Sequence, residues 1–124
     1  MPGIADKFDY VLTNYGYDVI VRKVRSGNIE WERHTTRSRY PAVRGLPDVG
    51  DEQEEGLVHN VDMLFYFRAN ADIREGDRIY EQDPRYGDGR VDGVQYVVDF
   101  ALANRGIRGE VSFYTVGVTR DVPN

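Results

Sequence analysis

After Gly16 the hydrophobic period of this chain changes from that of a helix to that of strands, and it does not change back. Ile4, Phe8, Val11 (with Leu12) and Tyr15 recur at spacings of four, three and four, which predicts one apolar face of a short amphipathic helix over 4–15, ended by Gly16. From Tyr17 the stretch YDVIVRKV is β-branched and alternating, SGN at 26–28 makes a turn, and IEWERHTTR continues as a second strand. That hairpin sets Ile29, Trp31 and Arg33 on one side and Glu30, Glu32 and His34 on the other. No helical pattern lies between later strands, so the crossovers a parallel sheet needs are missing and antiparallel pairing is expected.

The alternation stops over 40–57, YPAVRGLPDVGDEQEEGL, where two prolines, three glycines and the acidic residues Asp48, Asp51, Glu52, Glu54 and Glu55 show no sustained period. A connection of this length within a small domain is expected to be functional or mobile. The strand pattern returns at Val58: Val61, Met63, Phe65 and Phe67 alternate with Asp62, Leu64, Tyr66 and Arg68. Because the second set is partly apolar too, this strand is expected in the middle of the sheet or against the helix. Glu75-Gly76 offers a tight turn, and Asp77-Arg78-Ile79-Tyr80 begins a short strand. After the turn-rich 83–93, Val94, Tyr96, Val98 and Phe100 alternate with Gln95, Val97 and Asp99. A break at NRGIRG leads to a last strand over 110–118, where the apolar order shifts between Phe113 and Tyr114, a sign of a bulge or of burial on both sides. Residues 119–124 are expected to fray. One helix and about six strands on short turns suit a mainly β fold, a small antiparallel barrel or sandwich, in a single domain.

Chemistry is scarce. With no cysteine there is no disulfide, thiolate nucleophile or Cys-based zinc site, a composition that fits assembly in a reducing cytoplasm. His34 and His59 have no third ligand at useful spacing, and Ser26, Ser38 and Ser112 sit in no nucleophile elbow. Asp83, Asp88 and Asp92 miss the calcium-loop spacing and read as turn formers, while Gly87, Gly89 and Gly93 miss the phosphate-cradle spacing. No catalytic residue, metal site or cofactor is expected. No apolar window approaches the roughly 18 residues of a membrane span, so no membrane partner is expected.

The net charge of -5 disfavours a protein whose main task is gripping nucleic-acid phosphate. An aromatic platform of Tyr66, Phe67, Tyr96, Phe113 and Tyr114 in a barrel that binds single-stranded nucleic acid is the alternative from a different class. Among the cations only Lys7 and Lys23 are lysine; the rest are arginine, accompanied by nine tyrosines, a composition seen in protein interfaces as well as in chains from GC-rich genomes.

The order of helix, hairpin, long polar loop, aromatic strand, Gly76-Asp77-Arg78-Ile79, then Gly93-Val94-Gln95-Tyr96-Val97-Val98, resembles the head-tail connector proteins of tailed bacteriophages, in particular the head-closure or stopper group. The similarity covers 17–118 as a pattern and 73–98 as wording. It implies a structural, non-enzymatic virion protein of the phage neck, assembled in the host cytoplasm as a ring of six or twelve copies. Its partners would be a portal or adaptor protein on one side and a tail-terminator or tail tube protein on the other, with transient non-specific contact with passing double-stranded DNA. The helix at 4–15 and the acidic loop are not requirements of that family, which leaves adaptor and tail-terminator relatives open. In a ring, Arg22, Arg33, Arg68 and Arg78 with Tyr66 and Tyr114 are the expected subunit contacts, and Asp48, Asp51, Glu52, Glu54 and Glu55 the expected channel-facing groups.

Overall fold

The computed structural model describes residues 4–41, 61–82, 84 and 95–121, with side chains in the helix from Lys7 onward. Helix α1 (Ile4–Tyr15) is followed by strands β1 (Tyr17–Arg25), β2 (Asn28–Arg39), β3 (Met63–Arg68), β4 (Arg78–Tyr80), β5 (Gln95–Arg105) and β6 (Val111–Asp121). They form a closed barrel in the order β1-β2-β3-β6-β5-β4, every pairing antiparallel. Closure rests on a strand of three residues: β4 pairs Ile20↔Tyr80 to Arg22↔Arg78 with β1 on one side, and Ile79↔Tyr96 with β5 on the other. A closed sheet leaves no free edge for a further strand.

The β1–β2 hairpin turns through Ser26 and Gly27, both at positive φ, which matches the right-handed twist of the strands it joins. Inside the barrel, Val19, Val21, Phe65, Phe67, Ile79 and Val98 pack with Val116 and Val118, and loop residues Ala71 and Ile73 complete this core. Directly opposed residues of an antiparallel pair share a face, so the pairs Val19↔His34 and Val21↔Glu32 turn the polar set of β2 inward. The arrangement puts Trp31 on the outside, where its ring meets Tyr80 at 5.8 Å.

Helix α1 covers the outer face of β2, β3 and β6. Leu12 is buried, Phe8 stacks on Phe113 with ring centroids 4.6 Å apart, and Arg68 Nε donates to Asp9 Oδ1 at 2.5 Å. Tyr15 is not on the apolar face: it is exposed, with the Arg37 guanidinium over its ring. The double burial of β3 expected from its sequence is present, since Phe65 and Phe67 face the core while Leu64 on the other face packs with Val61 and Phe100.

Several boundaries and one register differ from the pattern. β3 begins at Met63, with Val61 and Asp62 ahead of the strand and 58–60 outside the described residues. β5 extends two residues into the expected break, to Arg105, and the break itself is a turn over 106–110; β6 continues to Asp121, so Thr119, Arg120 and Asp121 are strand and not frayed tail. Asp121 is held by Arg78 Nη1 at 2.7 Å and pairs with Gln95, which extends the ladder. The β5–β6 ladder shifts register twice, on β5 between Val98 and Phe100, and between Asn104 and Arg105, whose partners Phe113 and Val111 leave Ser112 as the extra residue on β6; neither shift falls between Phe113 and Tyr114. The apolar order changes at Phe113-Tyr114 because both faces of β6 are covered, Tyr114, Val116 and Val118 by the core and Phe113 by the helix. The bulge sends Phe100 outward over Gly117, where a Cβ would lie 2.2 Å from the ring; glycine is required by that close approach.

Candidate functional site

Gly76-Asp77-Arg78-Ile79 performs four local tasks. Gly76, at φ 88°, occupies the third position of a turn in which Asp77 N–H donates to Arg74 O at 3.1 Å. Asp77 is 4% exposed and accepts both ends of the Arg25 fork, each at 2.9 Å, together with the Arg74 backbone N–H at 2.9 Å. Arg78 reaches Asp121, and Ile79 is wholly buried in the core. Asp77 O also accepts from Val98 N–H at 2.8 Å, so this phrase and the Tyr96-Val97-Val98 phrase form one ladder at the closure of the barrel.

A second polar group lies on the inward face near the opposite side of β1. Lys23, 3% exposed, donates to Glu32 Oε1 at 2.9 Å and to Ala71 O at 2.6 Å, and His34 Nε2 donates to the same Glu32 oxygen at 2.8 Å. The His34 ring meets the edge of Phe67 at 6.0 Å. The Lys23 hydrogen bond is the main cause holding the Glu32 carboxyl below its ordinary value, against burial, which pushes it up. Two donors on one carboxylate oxygen, under a loop carbonyl, make a plug for the barrel end. Among the described residues no three metal-ligating side chains converge.

Tyr96 is buried, and its hydroxyl donates to Glu81 Oε1 at 3.0 Å. Burial first, then that bond and the Glu81 charge, push the phenol up to about 12. A folded value above the unfolded one near 10 means that this contribution to stability is complete below pH 10 and is lost as pH rises toward 12. Absorbance titration is expected to show a tyrosine ionising only with alkaline unfolding, and Tyr96→Phe is expected to flatten the stability loss in that window. Ionisation of every tyrosine near pH 10 with the fold intact would contradict it.

The residues expected at subunit contacts are dispersed. Arg22 and Arg33 sit on the outer face of β1 and β2, without a carboxylate partner among the described residues. Arg68 is paired with Asp9 and Arg78 with Asp121, each within the chain. Tyr66 lies on the outer face, its hydroxyl accepting from Arg39 Nε and its ring 6.2 Å from that of Phe113. Tyr114 packs partly buried against the core. The five aromatics considered as a base-stacking platform do not share an exposed face: Phe67 and Tyr96 are in the core, Tyr114 packs against it, and Phe113 is under the helix. Asp48, Asp51, Glu52, Glu54 and Glu55 lie outside the described residues, as do His59 and the aspartates and glycines of 83 and 87–93.

No family model, curated protein or solved structure matches the chain.

The sequence pattern does not reveal a cleft of about 360 Å³ between α1 and β2, lined by Phe8, Val11, Arg37, Ser38, Arg39, Tyr66 and Phe113. Arg37 and Arg39, two positions apart on one strand, were its only visible sign. Strand alternation sets both on the outer face, but which strands the helix covers is decided by non-local packing.

Proposed function

We propose that this chain is a non-enzymatic structural subunit of the neck of a tailed bacteriophage, forming a ring between portal or adaptor and tail that joins head to tail and helps retain packaged DNA. The observation that carries this reading is where the resembling wording falls. Gly76–Ile79 and Tyr96–Val98 are distant in sequence yet adjoin as β4 and β5, and together they close the barrel against β1. The phrase is one structural unit, as a shared fold requires.

Charge placement supports the same function. The β2–β3 and β4–β5 connections join strand ends on the same side of the barrel. The first carries Asp48, Asp51, Glu52, Glu54, Glu55 and Asp62 against Arg44, the second Glu81, Asp83, Asp88 and Asp92 against Arg85 and Arg90. Copies arranged around a hole with that end toward the lumen would repel DNA phosphate and let the duplex slide. Arg22 and Arg33 are then the arginines left for a neighbouring subunit, since Arg68 and Arg78 hold pairs within the chain.

Native mass spectrometry and negative-stain imaging of the protein with its portal test the reading. A ring of six or twelve copies stacked on the portal is the expected result. A protein that stays monomeric alone and joins no ring with neck partners would overturn it. The neighbour that captures the ring identifies its layer, whether stopper, adaptor or terminator.

A further inference from the structure

We propose that the edge of β5 beyond Val98 is a strand-addition site whose occupant is the same edge of a second copy, so that two barrels join through one continuous antiparallel sheet. This pairing is independent of the neck reading.

β4 closes the barrel over three residues, and a closed sheet lacks a free edge only along the length of its closing strand. The last bonds on that side of β5 are Gly76 N–H to Val98 O and Val98 N–H to Asp77 O, both at 2.8 Å. From there β5 runs on to Arg105, paired with β6 alone. Which groups stay open follows from β6. Val118 O accepts from Asp62 N–H, so Val118 faces β3, and alternation turns Val116 and Tyr114 the same way. Gly117, Thr115 and Phe113 therefore face β5, and their partners Phe100, Leu102 and Asn104 direct their backbone groups to them. The N–H and C=O of Ala101 and Ala103 point to the open side, where among the described residues nothing bonds to them. Between the two register shifts, Phe100 to Asn104 include no lysine, proline or charge, the devices that blunt an exposed edge.

Register selects the occupant. Two β5 edges paired antiparallel about Leu102 set Ala101 of each copy against Ala103 of the other, a hydrogen-bonded pair on both sides of a two-fold axis. Methyl side chains let the backbones approach there, and Leu102 meets Leu102 of the second copy. The same register brings Asp99 of each copy opposite Arg105 of the other, and both residues are exposed. Within the chain Asp99 accepts from Thr119 and Arg105 donates to Gly109 O; among the described residues neither has an ion pair. Opposite charges thus meet at both ends of the ladder, and a slip of two residues either way loses both pairs.

Analytical ultracentrifugation of the full chain over a concentration series tests the pairing. A monomer–dimer equilibrium is expected. Ala103→Pro removes an N–H that bonds nothing in the monomer, and should raise the dissociation constant about tenfold or more with the circular dichroism unchanged. Arg105→Asp should weaken the dimer, and Asp99→Arg/Arg105→Asp should restore it. In the wild type, amide exchange at Ala101 and Ala103 should slow as concentration rises. A protein monomeric at its highest soluble concentration overturns the proposal, as does a dimer that Ala103→Pro leaves unchanged or a charge exchange that restores nothing. A ring of six or twelve copies unaffected by Ala103→Pro overturns it too, and leaves the neck reading standing. Should Ala103→Pro not fold, the wild-type exchange rates decide: Ala101 and Ala103 amides unslowed by concentration overturn the pairing.

Discussion

Replacing Asp77 by alanine is expected to lower the unfolding free energy by about 3–5 kcal/mol, the usual consequence of removing one partner from a buried ion pair. Asp77 accepts three hydrogen bonds, two from Arg25 and one from the backbone of the turn it closes. Without it the Arg25 guanidinium, whose side chain is 17% exposed, keeps only Val24 O and Asp72 O as hydrogen-bond acceptors and a distant Asp72 carboxylate at 3.9 Å. Its Nε already lacks a hydrogen-bond partner. The loss spreads beyond the pair, because the loop that Asp77 terminates carries Ala71 and Ile73 into the barrel core. Urea unfolding measures the effect. Asp77→Asn, which retains an acceptor for the turn but not the charge, should fall between wild type and alanine. Arg25→Met combined with Asp77→Ala should be less destabilised than Asp77→Ala alone, since no unpaired charge is then left in place. An alanine variant within about 1 kcal/mol of wild type would show that the staple is dispensable.

The same motif shows what a strand pattern can and cannot reveal. The turn at Glu75-Gly76, the short strand after it and the helix-to-strand change at Gly16 are legible because each depends on neighbouring residues: glycine tolerates φ 88°, and the hydrophobic period switches over a few positions. Barrel closure is not local. Arg78–Tyr80 is too short to display a period, and its place between β1 and β5 follows from the pairing of distant strands. Asp77 reads as the start of a short strand and no more, because its partner, Arg25, is 52 positions away.

Misplaced polarity explains the rest. Alternation separates Glu30, Glu32 and His34 from Ile29, Trp31 and Arg33; in the structure Lys23 draws Glu32 inward and His34 follows against Phe67. Alternation identifies two faces; which faces the core depends on the opposing strand. On β5 the extra residue at Asp99 reverses the face of everything after it, so Phe100 leaves the core set that Tyr96 and Val98 belong to. Gly117 was the available sign of that reversal, a glycine within an otherwise apolar strand where a ring from β5 needs room.

The inward polar group gives an expected asymmetry between its two ends. Glu32→Ala should destabilise the protein by about 2–3 kcal/mol, somewhat less than a fully buried break, because the Glu32 side chain is 40% exposed and water enters in its place. Lys23, 3% exposed in the wild type, would keep Ala71 O as its acceptor but lose its hydrogen-bonded countercharge. Lys23→Met should cost no more than about 1 kcal/mol, since an apolar chain of similar length fills the same space and Glu32 retains His34 and solvent. The pH dependence carries the same signature. The folded Glu32 carboxyl is held below its unfolded value of 4.5, chiefly by Lys23, so its stabilising contribution is complete above that value and is lost as pH falls through the folded one. Lys23→Met removes the chief cause of the depression, and its stability should decline less steeply than that of wild type below pH 4.5. Equal losses in Glu32→Ala and Lys23→Met, with parallel acid limbs, would mean that the pair acts through packing alone and that its charges do not govern the stability of this end of the barrel.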